Sequence, residues 1–178
     1  MNTYLRTCDE GDRKLLHDLR RKSEEWLAAK GVEQYQGVWS ARAHTQIDKL
    51  LDERRFVALC DGADRTLAVG ALVGPDMDFW TEDDDLHTAW YIARLMVNTH
   101  GTGAGATLLD GVALAAAMDG RKYLRLDCWR TNIALHGYYE TKGFYKVRLV
   151  EVSHRKSGAL FQRSVRDKCP TPWDAIHE

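Results

Sequence analysis

The stretch Leu95-Met96-Val97-Asn98-Thr99-His100-Gly101-Thr102-Gly103-Ala104-Gly105-Ala106-Thr107-Leu108-Leu109 holds more chemistry for its length than any other part of the chain. Three glycines at alternate positions let the backbone approach a ligand with no Cβ in the way. An apolar-periodic run follows at once, so a helix begins there. Its first turn offers outward N–H groups and the positive end of the helix dipole, a combination that suits phosphate. A plain flexible turn between strand and helix is the competing interpretation. Gly101-x-Gly103-x-x-Ala106 also fits a dinucleotide fingerprint, and Asp127 lies about 20 residues on, where a ribose-binding acid belongs. Position opposes that fit. Asn98, Thr99 and His100 separate Val97 from the first glycine, and only 51 residues follow Asp127, too few for the rest of a doubly wound nucleotide domain.

These residues need elements to hold them. Tyr4–Arg6 reads as a short strand. Asp9 then caps a helix with Leu15, Leu16, Leu19, Trp26 and Leu27 at three- and four-residue steps, and Gly31 stops it. Ser40 is expected to cap a second helix containing Ala43, Ile47, Leu50 and Leu51. Residues 56–60 and 67–73 are strands joined by the turn Asp61-Gly62-Ala63-Asp64. Further strands are expected at 89–97, 123–129, 144–151 and 160–165, with helices after the glycine turn and at 132–141. The order gives an α+β or mixed α/β single sheet. One domain over 1–168 with a tail at 169–178 is expected.

With 178 residues, Lys+Arg 25 against Asp+Glu 26, and a formal net charge of −1, the chain is a poor candidate for a general nucleic-acid clamp. No apolar run approaches the ~18 residues of a membrane span, and no secretion leader is visible, so a cytoplasmic protein without membrane contact is expected. Cys8, Cys60, Cys128 and Cys169 form no Cys-x-x-Cys pair and read as reduced thiols. The scattered histidines give no reason to expect a metal. Charge is local: 76–85 carries Asp76, Asp78, Glu82, Asp83, Asp84 and Asp85, whereas 142–168 is basic. Taken alone, such clusters are solvated surface.

The run His100-Gly101-Thr102-Gly103-Ala104-Gly105 after a strand ending in Val97 resembles the coenzyme A loop of the GNAT superfamily of N-acetyltransferases, Gln/Arg-x-x-Gly-x-Gly/Ala, with His at its first position. Downstream, Leu126-Asp127-Cys128-Trp129-Arg130-Thr131-Asn132 and the following Tyr138-Tyr139-Glu140-Thr141-Lys142-Gly143-Phe144 resemble that family's strand, Asn, short helix, tyrosine and Gly-Phe ending. The two motifs together cover roughly residues 89–145. The resemblance implies a single mixed sheet, flanked by helices, whose central parallel strands 89–97 and 123–129 splay apart. It also implies acetyl-CoA as cosubstrate. Backbone groups of Leu95, Met96 and Val97 would pair with the pantetheine arm, one N–H serving as oxyanion donor. His100, Gly101, Thr102, Gly103, Ala104, Gly105 and Ala106 would hold the diphosphate, and Asn132 would touch the arm near the thiol. Tyr139 matches the acid that protonates the departing thiolate. A dimer is common in such folds, so a homodimer is an expected assembly.

The implied reaction is direct acetyl transfer to an amine. An alkyl ammonium with a pKa near ~10.4 is a free nucleophile in only about one molecule in 10³ at pH 7, a deficit of roughly 4 kcal/mol that a base or a desolvating pocket must supply. Tyr91 and Asp127 are candidate bases, beside Glu82 and His87 acting through water. Gln34, Tyr35 and Trp39 stand where the family builds its acceptor wall. Trp80, Glu82 and Tyr91 join them as candidate acceptor contacts, with the acidic stretch drawing in a small cationic amine. The alternatives are an NAD(P)-binding oxidoreductase and a non-catalytic acyl-CoA-binding module.

Overall fold

The computed structural model describes residues 2–32 and 38–167. Seven strands, β1 (Thr3–Thr7), β2 (Phe56–Asp61), β3 (Thr66–Val73), β4 (Ala89–Val97), β5 (Tyr123–Trp129), β6 (Tyr145–Leu149) and β7 (Ser157–Ser164), form one mixed sheet in the order β1-β2-β3-β4-β5-β7-β6. Among the described residues four α-helices accompany it: α1 (Arg13–Ala29), α2 (Val38–Asp52), α3 (Ala104–Met118) and α4 (Ile133–Glu140). By contact the chain resolves into two compact units interleaved in sequence. The first comprises residues up to Leu72 with Arg94–Leu108; the second comprises Val73–Ala93 with the chain from Leu109 onward.

In the first unit β1 and β2 pair antiparallel from Thr3↔Asp61 to Thr7↔Val57, and β2 and β3 form a hairpin. The hairpin turn is held by Asp61, whose Oδ1 accepts from the amides of Ala63 and Arg65 at 3.0 Å. Asp9 begins the first helical stretch as expected, through a 3-10 turn at Glu10–Asp12. Its side chain accepts from Gly11, and Asp12 returns the bond to the Asp9 amide. α1 buries Leu16, Leu19 and Arg20, and α2 buries Ala43, Ile47 and Leu51. α2 begins at Val38, two residues before Ser40. The Ser40 hydroxyl donates to Glu24 Oε2 at 2.9 Å, so it ties the two helices together and is not a cap.

In the second unit the parallel register of β4 with β5 runs only from Ala89↔Tyr123 to Tyr91↔Arg125. β5 pairs antiparallel with β7 along its length, and β7 with β6. One short parallel pair beside the antiparallel β1–β2–β3 and β5–β7–β6 sets is not a doubly wound nucleotide sheet, which corrects the dinucleotide alternative at the level of fold. The core here includes Phe79, Trp80, Ala89, Tyr91 and Leu160. Phe144, expected to open β6, is 3% exposed and packs edge-on to Tyr139 instead.

No described helix is long and apolar enough to cross a membrane. Cys8, Cys60 and Cys128 are buried free thiols, and burial first of all pushes Cys8 and Cys128 up to about 12.

Candidate functional site

β4 and α3 are the elements that place the glycine loop. Asn98 leaves β4 with its amide bonded to the Leu67 carbonyl at 2.9 Å and its side-chain amide bonded to Thr66 O at 3.2 Å. Thr102 Oγ1 donates to Thr99 O at 2.9 Å, rounding the turn. Gly101 and Gly103 hold φ of +79° and +78°, in the left-handed region that a side chain disfavours. A Cβ added at either would meet nothing within 4 Å, so the space beside this backbone is open. Gly105 lies inside α3, where its role is helical. The first i→i−4 bond of α3 closes from Thr107 to Gly103 O at 3.0 Å, so the helix dipole begins at the last glycine of the turn. Asn98, Thr99, Thr102, Ala104 and Thr107 line a cavity of about 480 Å³ together with Thr3, Leu59, Arg65, Thr66 and Leu67.

Upstream in β4, Met96 is buried while Leu95 and Val97 are half-buried, and Arg94 carries φ +54°. His100 takes an unexpected place. Its imidazole lies flat on Trp26, with ring centres 4.2 Å apart and planes 9° from parallel. Burial, and then the charge of Lys30, hold it below the ordinary imidazole value. Trp26, read in the sequence as part of the apolar face of α1, is 38% exposed, with Lys30 Nζ 4.2 Å from its ring centre. The signal was available in the four-residue spacing of Lys22, Trp26 and Lys30, but a tryptophan at helical period reads as core.

The remaining candidates lie in the second unit. Asn132 caps α4, its Oδ1 accepting from the Leu135 amide at 3.1 Å. Tyr139, the penultimate residue of α4, is 8% exposed, with its ring against Tyr138, Phe144 and Phe161. Tyr138, expected to be the packing member of the pair, is only half-buried and takes the Lys142 ammonium over its ring.

Three expectations are corrected. Trp80 is 1% exposed and serves as a core ring for the protein's own cations, with Arg125 at 4.9 Å and Arg148 at 5.6 Å from its centre; it has no face left for an acceptor. Tyr91, a candidate base and acceptor contact, is 5% exposed; its hydroxyl accepts from Arg125 Nη1 at 2.9 Å and donates to Leu86 O at 3.3 Å. Burial raises its phenol more than Arg125 lowers it, so it stays protonated and cannot accept a proton. Half of the acidic stretch is paired with arginines. Arg148 grips Asp84 with two bonds of 2.8 and 2.6 Å, and Arg155 binds Asp76 at 2.6 Å and Asp78 at 2.8 Å. Glu82, Asp83 and Asp85 are exposed. Asp127 is half-buried; burial works against the charge of Arg155, and Asp76, Asp78 and Asp127 together outweigh it. Gln34 and Tyr35 lie outside the described residues, as does the side chain of Trp39. Among the described residues no group of His, Cys, Asp and Glu forms a metal cluster.

No family model matches the chain. YesJ of Bacillus subtilis strain 168, described as an uncharacterized N-acetyltransferase, is 25% identical over 138 residues, which cover 75% of this chain and 76% of that protein. A GNAT-family acetyltransferase from Listeria monocytogenes superposes with a TM-score of 0.66 at 20% identity, covering 91% of this chain and 94% of its own. The PaiA N-acetyltransferase of Thermoplasma acidophilum, solved in complex with coenzyme A, also gives 0.66, at 18% identity over 92% of this chain and 99% of its own. The chain has the GNAT acetyltransferase fold, as the order and spacing of its two motifs implied.

Proposed function

We propose that the chain is an acetyl-CoA-dependent N-acetyltransferase acting on a small cationic amine. The observation that carries this is the turn at Gly101 and Gly103, left-handed at both, open where a Cβ would stand, and running straight into α3. Such a turn fits a diphosphate held by main-chain donors. The two-motif resemblance and the N-acetyltransferase relative add to it.

The coenzyme supplies an acetyl thioester as acyl donor. The amides of Gly101–Ala106 bind its diphosphate, and backbone of Leu95, Met96 and Val97 orients its arm, with Asn132 as a further contact. The amine nitrogen would bond to the acetyl carbonyl carbon as the C–S bond breaks, the Tyr139 hydroxyl would give its proton to the departing thiolate, and the proton shed by the acylated nitrogen would return to Tyr139 through water. The ammonium must first lose a proton, a task that the structure takes away from Tyr91. The exposed Glu82, Asp83 and Asp85 support a cationic acceptor, now as a residual charge of three acids rather than a field of six. Buried free thiols support a reducing, cytoplasmic setting.

Titration calorimetry with acetyl-CoA, coenzyme A and NAD(P) tests this reading. Binding of the two thio-coenzymes alone, followed by release of free thiol with an amine panel, is the expected result. Heat with NAD(P) and none with coenzyme A would overturn it, and coenzyme A binding without turnover on any amine would favour the non-catalytic module.

A further inference from the structure

The loop after β4 has no lasting charge of its own. Residues 98–107 contain no acid, lysine or arginine, and His100 is their one titratable side chain in the physiological range. That imidazole is stacked on Trp26 and held below its ordinary value by burial and then by Lys30, so at neutral pH it is uncharged. The loop would then bring only dipolar amides to a diphosphate, and Arg65, which lines the same cavity, is engaged by Asp61.

The cations come from α1. Lys22 and Trp26 share one face of α1, and Lys30, four residues further on, caps its C-terminal end. Lys22 Nζ donates to Asn98 Oδ1 at 3.1 Å, at the first residue of the loop. Lys30 Nζ sits 4.2 Å from the centre of the Trp26 ring on which His100 lies. Trp26, 38% exposed, carries both the His100 ring and the Lys30 ammonium on its faces, while Lys22 holds the start of the loop through Asn98.

We propose that Lys22, Trp26 and Lys30 form a cationic wall beside the glycine loop that takes the phosphate-bearing part of an anionic coenzyme. The proposal rests on the coenzyme A reading above and names the charge that reading lacks. An ammonium is a compact, hydrated point charge on a long stem, suited to follow a phosphate without fixing its orientation. The backbone amides supply the orientation, and the lysines supply salt-sensitive attraction.

The test is calorimetry of the full chain with coenzyme A, dephospho-coenzyme A and pantetheine, at low and high salt. The double variant Lys22→Gln/Lys30→Gln changes two exposed side chains and should leave the fold intact. It should bind coenzyme A about tenfold more weakly at low salt, roughly 1.4 kcal/mol, with a shallower salt dependence and no change for pantetheine, which has no diphosphate. Lys22→Arg/Lys30→Arg should restore most of the affinity. A loss that persists with dephospho-coenzyme A assigns the wall to the diphosphate, and a loss that disappears assigns it to the 3′-phosphate; either supports the proposal. Unchanged affinity and salt slope in the glutamine variant overturn it and leave the coenzyme A reading standing, and an equal loss with pantetheine overturns it by revealing a structural effect. Wild-type protein that does not bind coenzyme A sinks both.

Discussion

The turn at 98–103 and the segment at 75–88 lie on either side of β4 in the chain, and they are built on opposite principles. The turn keeps its backbone available: two left-handed glycines, open space beside them, and side chains such as His100 and Thr102 folded onto Trp26 and Thr99. The acidic segment commits its side chains. Asp76, Asp78 and Asp84 are bound by Arg155 and Arg148, and Phe79 and Trp80 are buried beneath the same arginines, with Arg155 4.7 Å from the Phe79 ring centre. A site made of main chain keeps its chemistry wherever its local conformation forms. A site made of charged side chains keeps it only if nothing else in the fold captures them.

The largest effects should come from two glycines that separate these principles. Gly158 holds φ +124°, and a Cβ there would stand 2.1 Å from the Val150 carbonyl oxygen, which cannot withdraw because the Val150 amide bonds to Gly158 O at 2.8 Å. Gly158→Ala should destabilise the protein by on the order of 3–5 kcal/mol in chemical denaturation. Gly103→Val, in open space, should cost only about 1–2 kcal/mol of stability while coenzyme A binding falls by about 100-fold or more in calorimetry. Equal stability losses would erase the distinction between a glycine demanded by packing and one demanded by a ligand.

Next in size, Tyr139→Phe tests a side chain placed in the chemistry. Its turnover should fall by about 100-fold or more, with coenzyme A affinity within about twofold and the ring packing on Phe144 and Phe161 kept. Unchanged kcat would leave Tyr139 a purely structural ring.

The smallest effect concerns the ion pair beneath the acidic segment. Arg148, through its two hydrogen bonds, holds the Asp84 carboxyl down at about 2. A depressed carboxylate contributes stability above its unfolded value near ~3.9 and loses it as pH falls toward its folded value. Asp84 is 13% exposed and Arg148 34%, so the contribution is discounted to about 1–2 kcal/mol. Arg148→Gln should therefore be less stable than the parent from neutral pH down to about pH 4, and the two should converge between there and about pH 2. A gap that stays constant through that window would assign the loss to the Arg148 contacts with Phe79 O and Trp80 instead.

Much of the frame was legible from local pattern. β4 and β5 fall at the expected 89–97 and 123–129, and Asp9 and Gly31 mark helix ends as expected. Ser40 was misread because a serine before an apolar run looks the same whether its hydroxyl caps its own helix or reaches Glu24 on another. Tyr91 and Trp80 were misread because an aromatic beside acids offers the same letters whether it faces solvent or the guanidinium of Arg125.

By itself the sequence determined where the backbone turns and the order of strands and helices that marks the family fold. Both depend on neighbours within a few residues. The tertiary structure alone decided which charges are spent and which are left. Asp84 meets Arg148 64 residues away and Asp76 meets Arg155 79 residues away, and His100 finds Trp26 across the first unit. Such pairings depend on where distant segments pack, and no local spacing records that.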